Sequence, residues 1–310
     1  MEAKKLIVSA SPHIHARTTT RGIMLNVCAA LLPAILAGML IFGARVLLVT
    51  GVTVAACVGF EALYCVLMKK PVPVGDFSAV VTGLILAMNL PTTIPLWIAI
   101  IGAFFAIVIA KQLFGGLGFN FANPALLGRI VLSIGFADRM TAYAFPATDV
   151  DALASATPLA AGVHSFDPDI LPKLLIGAHG GVIGETCALA LIVGGLFLIV
   201  TGVISAAIPV SYLATVAVLS LVLGQDVLLQ LLSGGLLLGA FFMATDYVTS
   251  PFTFKGRIVY GACLGVITCL IRFYGNMAEG VSFALLLMNL TVPYINDLTR
   301  QKPLGGVKSK

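Results

Sequence analysis

The sequence predicts an all-α polytopic membrane protein of about ten transmembrane helices, arranged as two inverted halves of five. Three observations carry that prediction. Of 310 residues, 59% are hydrophobic and only 10% are charged, with a mean hydropathy of +1.07. Soluble domains carry about 25% charged residues. The second observation is a series of apolar runs near the length a bilayer core of about 30 Å demands, roughly 20 helical residues. The third is a likeness in outline between the first five runs and the last five. Together they exclude a soluble enzyme, a nucleic-acid binder and a disordered chain.

The runs follow in order. Five fall at 22–43, 46–68, 77–90, 94–114 and 119–136, the third being short. A polar stretch over 137–181 intervenes. Five more fall at 182–204, 205–224, 227–244, 257–274 and 281–295. This divides the chain into an N-terminal arm (1–21), a first membrane half (22–136), a polar loop (137–181), a second membrane half (182–296) and a basic tail (297–310). Lys4 and Lys5 precede a mixed polar stretch ending at Arg21, so the first run reads as a retained anchor rather than a cleaved signal.

The charges orient the spans. With the N-terminus in the cytoplasm, the inner segments hold 13 of the 18 basic residues, among them Lys69, Lys70, Lys111, Lys255 and Arg257. The outer segments hold Arg45, Arg139, Lys173 and Arg272, and Arg129 lies within the fifth span. Basic residues concentrate in cytoplasmic loops, so both termini are expected inside. The 137–181 loop is then expected outside, and it is acidic, with Asp138, Asp149, Asp151, Asp167 and Asp169.

In each half a short span meets a polar break: Asn89-Leu90-Pro91 after the third span, Thr245-Asp246 and Ser250-Pro251 after the eighth. A repeat of five spans must be inverted in the membrane. Interrupted spans at matching positions of inverted repeats point to a binding site near the midplane.

Ionisable groups at membrane depth are costly and mark functional sites. Glu61, Glu185 and Asp246 qualify as ion-path or cofactor contacts, and Arg129 as a structural partner. Gly180-Gly181-x-x-Gly184 lacks the strand–turn–helix setting a dinucleotide fingerprint needs. The histidines at 13, 15, 164 and 179 and the six cysteines show no metal-site or triad spacing, so no metal is expected. On these grounds alone a permease, a scaffold and a cofactor-bearing subunit remain open.

The most informative segment is Asp151-Ala152-Leu153-Ala154-Ser155-Ala156-Thr157-Pro158. Pro158 disfavours helix at Thr157, so the segment is expected to be extended and exposed. The Asp-x-x-x-Ser-Ala-Thr pattern resembles the flavin attachment motif of the NqrB/RnfD membrane subunits. Ser11-Pro12-His13, Lys111 through Asn123-Pro124-Ala125, Gly184-Glu185, Thr245-Asp246 with Ser250-Pro251, and Asn289, Pro293 and Asp297 also sit where that family has them. Ala156 follows Ser155 directly, whereas Ser-Gly-Ala-Thr is the more familiar order. The long N-terminal extension of NqrB subunits is absent, which favours the RnfD type.

The resemblance implies a function. A flavin transferase joins FMN through its phosphate to the hydroxyl of Thr157, with Asp151, Ser155 and Ala156 completing the motif. The related NqrB subunit also holds a noncovalent riboflavin, and the expectation extends to this chain. The implied assembly is the Rnf complex, with its A, B, C, E and G subunits as partners in a bacterial or archaeal plasma membrane. It exchanges electrons between ferredoxin and NAD and couples this to Na+ or H+ movement. No complete active site and no catalytic side chain are expected in this chain alone.

Overall fold

The computed structural model describes residues 18–143, 170–177, 179–275 and 280–300, and within them the regular structure is helical. The first half begins with α1 (Thr20–Phe42) and α2 (Arg45–Leu67), both long and apolar enough to cross a membrane. Next come α3 (Ser78–Met88), α4 (Leu96–Phe104) and α5 (Pro124–Gly135). α4 continues as a π-helix over Phe105–Gln112. Two short helices, α6 (Ala137–Met140) and α7 (Ile170–Ile176), lie in the stretch expected to be a plain polar loop. The second half comprises α8 (Ala188–Val200), α9 (Ala207–Val222), α10 (Val227–Leu232) and α11 (Leu236–Leu238), the last continued by a π-helix over Gly239–Met243. It closes with α12 (Phe254–Tyr274) and α13 (Val281–Leu298), which are again of spanning length.

The helix ends follow local chemistry. Thr19 caps α1 by accepting from the Gly22 amide, and Thr253 caps α12 by accepting from Gly256. Asn123 caps α5, with Pro124 at the first helical position, where its missing N–H costs nothing.

Among the described residues four helices are of full spanning length and the other apolar helices are shorter, so length alone does not establish a count of ten. At 11 residues α3 is about 16 Å long, half a bilayer core. The span expected over 227–244 is broken at Ser233-Gly234-Gly235, where both glycines adopt positive φ (69° and 66°). The span expected from residue 182 begins only at Ala188. Before it, the Ile183 and Gly184 amides donate to the carbonyls of Leu90 (3.1 Å) and Met88 (2.7 Å).

Contacts fix the directions of the helices. The start of α1 (Ile23) lies beside the residues following α8 (Val203, Ile204), while Gly38, further along α1, lies against Ile183. The first helices of the two halves are therefore antiparallel. In the first half α2 packs on α3 and α4; in the second, α9 packs on α12.

Lipid tails are as apolar as leucine, so helix association rests on close packing and polar contacts. At Gly194 in α8, an added Cβ would collide with the Ala30 carbonyl of α1. At Gly261 in α12, it would lie 2.8 Å from the Ile208 carbonyl. Tyr212 and Tyr260 are fully buried, yet each hydroxyl is paired: Tyr212 with Thr268 (2.7 Å) and Tyr260 with the Asn289 side chain (2.8 Å).

Gly194→Val should force α1 from α8 and destabilise the fold by about 1–3 kcal/mol. Gly59→Ala, at a site with nothing within 4 Å of the added carbon, should be tolerated. Melting of the two variants in detergent checks the contrast.

Candidate functional site

Two polar clusters lie inside the bundle, one toward each end. The first surrounds a buried ion pair. Lys111 Nζ donates to Glu61 Oε1 at 2.7 Å, with both side chains at most 3% exposed. Gln112 Nε2 donates to the same oxygen at 2.8 Å. Lys111 also donates to Ser78 Oγ at 2.6 Å, and Ser78 in turn donates to Asp76 Oδ1 at 2.6 Å. Glu61 comes from the buried face of α2, which repeats every four residues as Thr53, Cys57, Glu61 and Cys65. Lys111 and Gln112 come from the π-helical end of α4. π-helical turns are rare and are frequently found at functional sites.

A cavity opens beside this cluster. Ser78, Thr82, Lys111, Asn120, Asn123, Thr245 and Asp246 supply its polar groups. Val81, Ile85, Leu198, Ile204, Phe241 and Phe242 supply much of its apolar wall. Small-molecule sites have this character, apolar with a few convergent polar groups. Both π-helical segments border it, one through Lys111 and the other through Phe241 and Phe242. Asp246 is held in the segment after Met243, where Thr249 Oγ1 donates to its Oδ2 at 3.1 Å.

The second cluster secures the two helix breaks. Arg129 Nη1 donates to Asn89 Oδ1 at 2.7 Å, and Asn89 donates back to the Ile85 carbonyl at 2.7 Å. Arg45 Nε donates to the Thr92 carbonyl at 2.7 Å, and its Nη2 lies within reach of the carbonyls of Thr93 and Ile94. Arg272 grips the other break. Its Nη1 donates to the carbonyl and side-chain oxygen of Gln230, and its Nη2 to the carbonyls of Ser233 and Gly234, all at 2.7–3.1 Å. Glu185 is 2% exposed, and neither carboxylate oxygen has a hydrogen-bond partner. Its charge interacts with Arg129, Tyr143 and Arg272.

Glu61 and Asp246 therefore serve one end of the bundle, Glu61 through Lys111 and Asp246 at the cavity wall. Glu185 and Arg129 serve the other. Two charges at span ends, counted only by their side of the membrane in the sequence, are engaged inside the fold. Lys111, ending the fourth run, is a buried half of an ion pair, and Arg272, ending the ninth, is a carbonyl clamp within α12. Glu185 sits in the turn before α8 rather than within a helix. The sequence does carry a signal for Lys111: a cation directly following the apolar run Phe105–Ala110. Thr157, Asp151, Ser155 and Ala156 lie outside the described residues. Among the described residues no cluster of three or more His, Cys, Asp and Glu is arranged to hold a metal.

Comparison with known proteins assigns this architecture. The sequence profile of the NQR2, RnfD, RnfE family matches residues 7–305. The chain belongs to that family. Among its members, the chain is 48% identical over its full length, and 98% of the relative's, to the D subunit of the Na(+)-translocating ferredoxin:NAD(+) oxidoreductase complex of Acetobacterium woodii. It is 38% identical, over 96% of both chains, to the D subunit of the proton-translocating ferredoxin:NAD(+) oxidoreductase complex of Clostridium ljungdahlii. It is also 37% identical to the D subunit of the ion-translocating oxidoreductase complex of Cronobacter sakazakii, over 96% of this chain and 98% of that one.

Breaking a buried ion pair from one side costs about 3–5 kcal/mol, because the remaining charge is stranded. Lys111→Met should therefore lower the melting temperature sharply, and Lys111→Met/Glu61→Gln should recover most of the loss. Equal melting of the single and double variants would contradict the pairing.

Proposed function

We propose that this chain is the D subunit of an ion-translocating ferredoxin:NAD+ oxidoreductase, an Rnf complex, and carries FMN covalently at Thr157. The 48% identity, across the whole of this chain, to a relative so named supports this most strongly. The attachment motif, with Asp151, Ser155 and Ala156 before Thr157, supports the cofactor. The proposed partners are the A, B, C, E and G subunits of the Rnf complex and the flavin transferase that loads Thr157. The named relatives include both a Na+ and a proton translocator, so family membership leaves the coupling ion open.

The proposed orientation follows the basic residues. Both termini face the cytoplasm of a prokaryotic plasma membrane, and the Thr157 loop faces outward. The cavity beside Lys111 then opens toward the cytoplasm, and we propose it as the site of a second, noncovalent flavin, riboflavin. The lining fits a flat, mostly uncharged ring system. Phe241, Phe242 and Ile85 supply apolar contact, while Ser78, Asn120, Asn123 and Asp246 offer donors and acceptors toward a ring edge. A bound flavin supplies one- and two-electron redox chemistry; the protein positions it and sets its surroundings. In this reading Lys111 brings an ammonium group to the cavity wall, Glu61 holds that group in place with Gln112 bonded to the same carboxylate oxygen, and the apolar walls exclude water. At the outer end, Glu185 with Arg129 provides a buried charged group on the side of the Thr157 loop.

In a denaturing gel the wild-type chain should carry flavin fluorescence, and Thr157→Ala should abolish it without loss of the polypeptide. A fluorescent Thr157→Ala chain would remove Thr157 as the attachment point. A non-fluorescent wild-type chain, purified from cells that express the transferase, would favour a flavin-free permease.

A further inference from the structure

Lys111 is tied to more than its counter-ion, and the extra ties form a line. Asp76 lies in the single turn Val74–Asp76 that follows Lys69 and Lys70, partly open to the surface. Its Oδ1 accepts from the Ser78 amide (2.7 Å) and also from the Ser78 hydroxyl (2.6 Å). The same hydroxyl accepts from Lys111 Nζ at 2.6 Å. Ser78 and Lys111 both line the cavity, whereas Asp76 does not. Capping α3 requires only the bond from the amide. The hydroxyl bridge between a surface carboxylate and a buried ammonium adds nothing to the cap, and it builds an unbroken hydrogen-bonded path.

We propose that Asp76, Ser78 and Lys111 form a proton relay that delivers protons from the cytoplasmic surface to the cavity. The relay rests on the reading of the cavity as a flavin site, since a flavin nitrogen takes up a proton when electrons from the complex reduce it. Lys111 Nζ would hold the proton at the cavity wall and would be left as a neutral amine once a bound flavin takes that proton up. The Ser78 hydroxyl turns and passes its proton to the neutral amine. The Asp76 carboxylic acid re-protonates Ser78 Oγ, and surface water re-protonates Asp76. Each N–H or O–H bond broken in the relay is remade, and the net change is one proton moved from water to the cavity. Glu61 Oε1 and Gln112 hold the lysine at the serine throughout. Glu61 Oε2 is buried without a partner and remains free to accept from a shifted Nζ. Other charged and titratable groups around the path are Asp246 across the cavity, Cys57 and Cys65 beside Glu61, and Arg21 stacked on Phe77 at 5.4 Å.

The test uses the purified intact complex, reduced by NADH in a single turnover and followed by flavin absorbance in H2O and D2O. Acid-extractable flavin is measured in parallel. Asp76→Asn should retain extractable flavin, and both Asp76→Asn and Ser78→Ala should slow proton-coupled reduction of whatever flavin remains bound by about ten-fold or more, with a larger solvent isotope effect. Added imidazole should restore the rate, and Asp76→Glu should recover most of it. Wild-type rates in both variants with flavin bound would overturn the relay alone, as would slowing that imidazole leaves unrelieved. If Ser78→Ala sheds flavin, Asp76→Asn decides, because Asp76 is off the cavity wall. Absence of extractable flavin from the wild-type complex would overturn the cavity reading and the relay with it.

Discussion

The structure is governed by one constraint: within a bilayer, every backbone N–H and C=O must find a partner inside the protein. A continuous helix satisfies this by itself. Two interrupted spans do not, and this chain has them at Asn89–Pro95 and Ser233–Gly235. Both gaps are filled by guanidinium groups and amides brought from elsewhere in the sequence. Arg45 covers the carbonyls of Thr92 to Ile94, the amides of Ile183 and Gly184 cover Met88 and Leu90, and Arg272 covers Gln230, Ser233 and Gly234. Arginine suits the task because its planar fork presents five donors and stays charged. The antiparallel contact of α1 with α8 brings the Ile183 and Gly184 amides to the first break, so close packing at Gly38 and Gly194 and polar satisfaction at that break depend on each other.

The space in which chemistry can occur lies toward the other end. There the first turns of α3 and residues of both π-helical stretches wall a cavity rather than a filled core. A polar lining in that cavity is tolerated only where its groups are paired. The Glu61–Lys111–Gln112–Ser78–Asp76 chain shows how this is done: nearly every group is a donor or acceptor for the next. Such a buried ion pair is weak evidence for stability, since its desolvation cost is large. Its placement at the wall of a cavity, on a π-helical turn, is better explained by use than by folding. The proposed flavins divide the labour accordingly, one anchored at Thr157 beyond the outer end and one held by the lining at the inner end.

Much of the frame is legible in the sequence. Helices at the first, second, ninth and tenth runs form close to where hydropathy puts them, because a long apolar run has one good solution in lipid. Asn89-Leu90-Pro91 reads correctly as a break, since asparagine and proline both oppose helix continuation. Ser233-Gly234-Gly235 does not, because flanking leucines keep a hydropathy window high and the window cannot see positive φ. Glu61 and Asp246 stand out as charges in apolar surroundings. Their environments do not: which cation meets Glu61 depends on a contact fifty residues away, and Lys111 reads only as a charge at the cytoplasmic end of a span. Arg45 and Arg272 read as outer-loop charges for the same reason. Their carbonyl partners have no side-chain signature at all.

The central proposal is that this frame carries flavin on the two sides of a membrane. The most direct measurement is the intact mass of the chain purified from its native complex. The account predicts one species heavier than the sequence by one FMN less one water, with fragmentation placing the increment on the peptide containing Thr157. A chain of unmodified mass, isolated from cells with an active transferase, would contradict it.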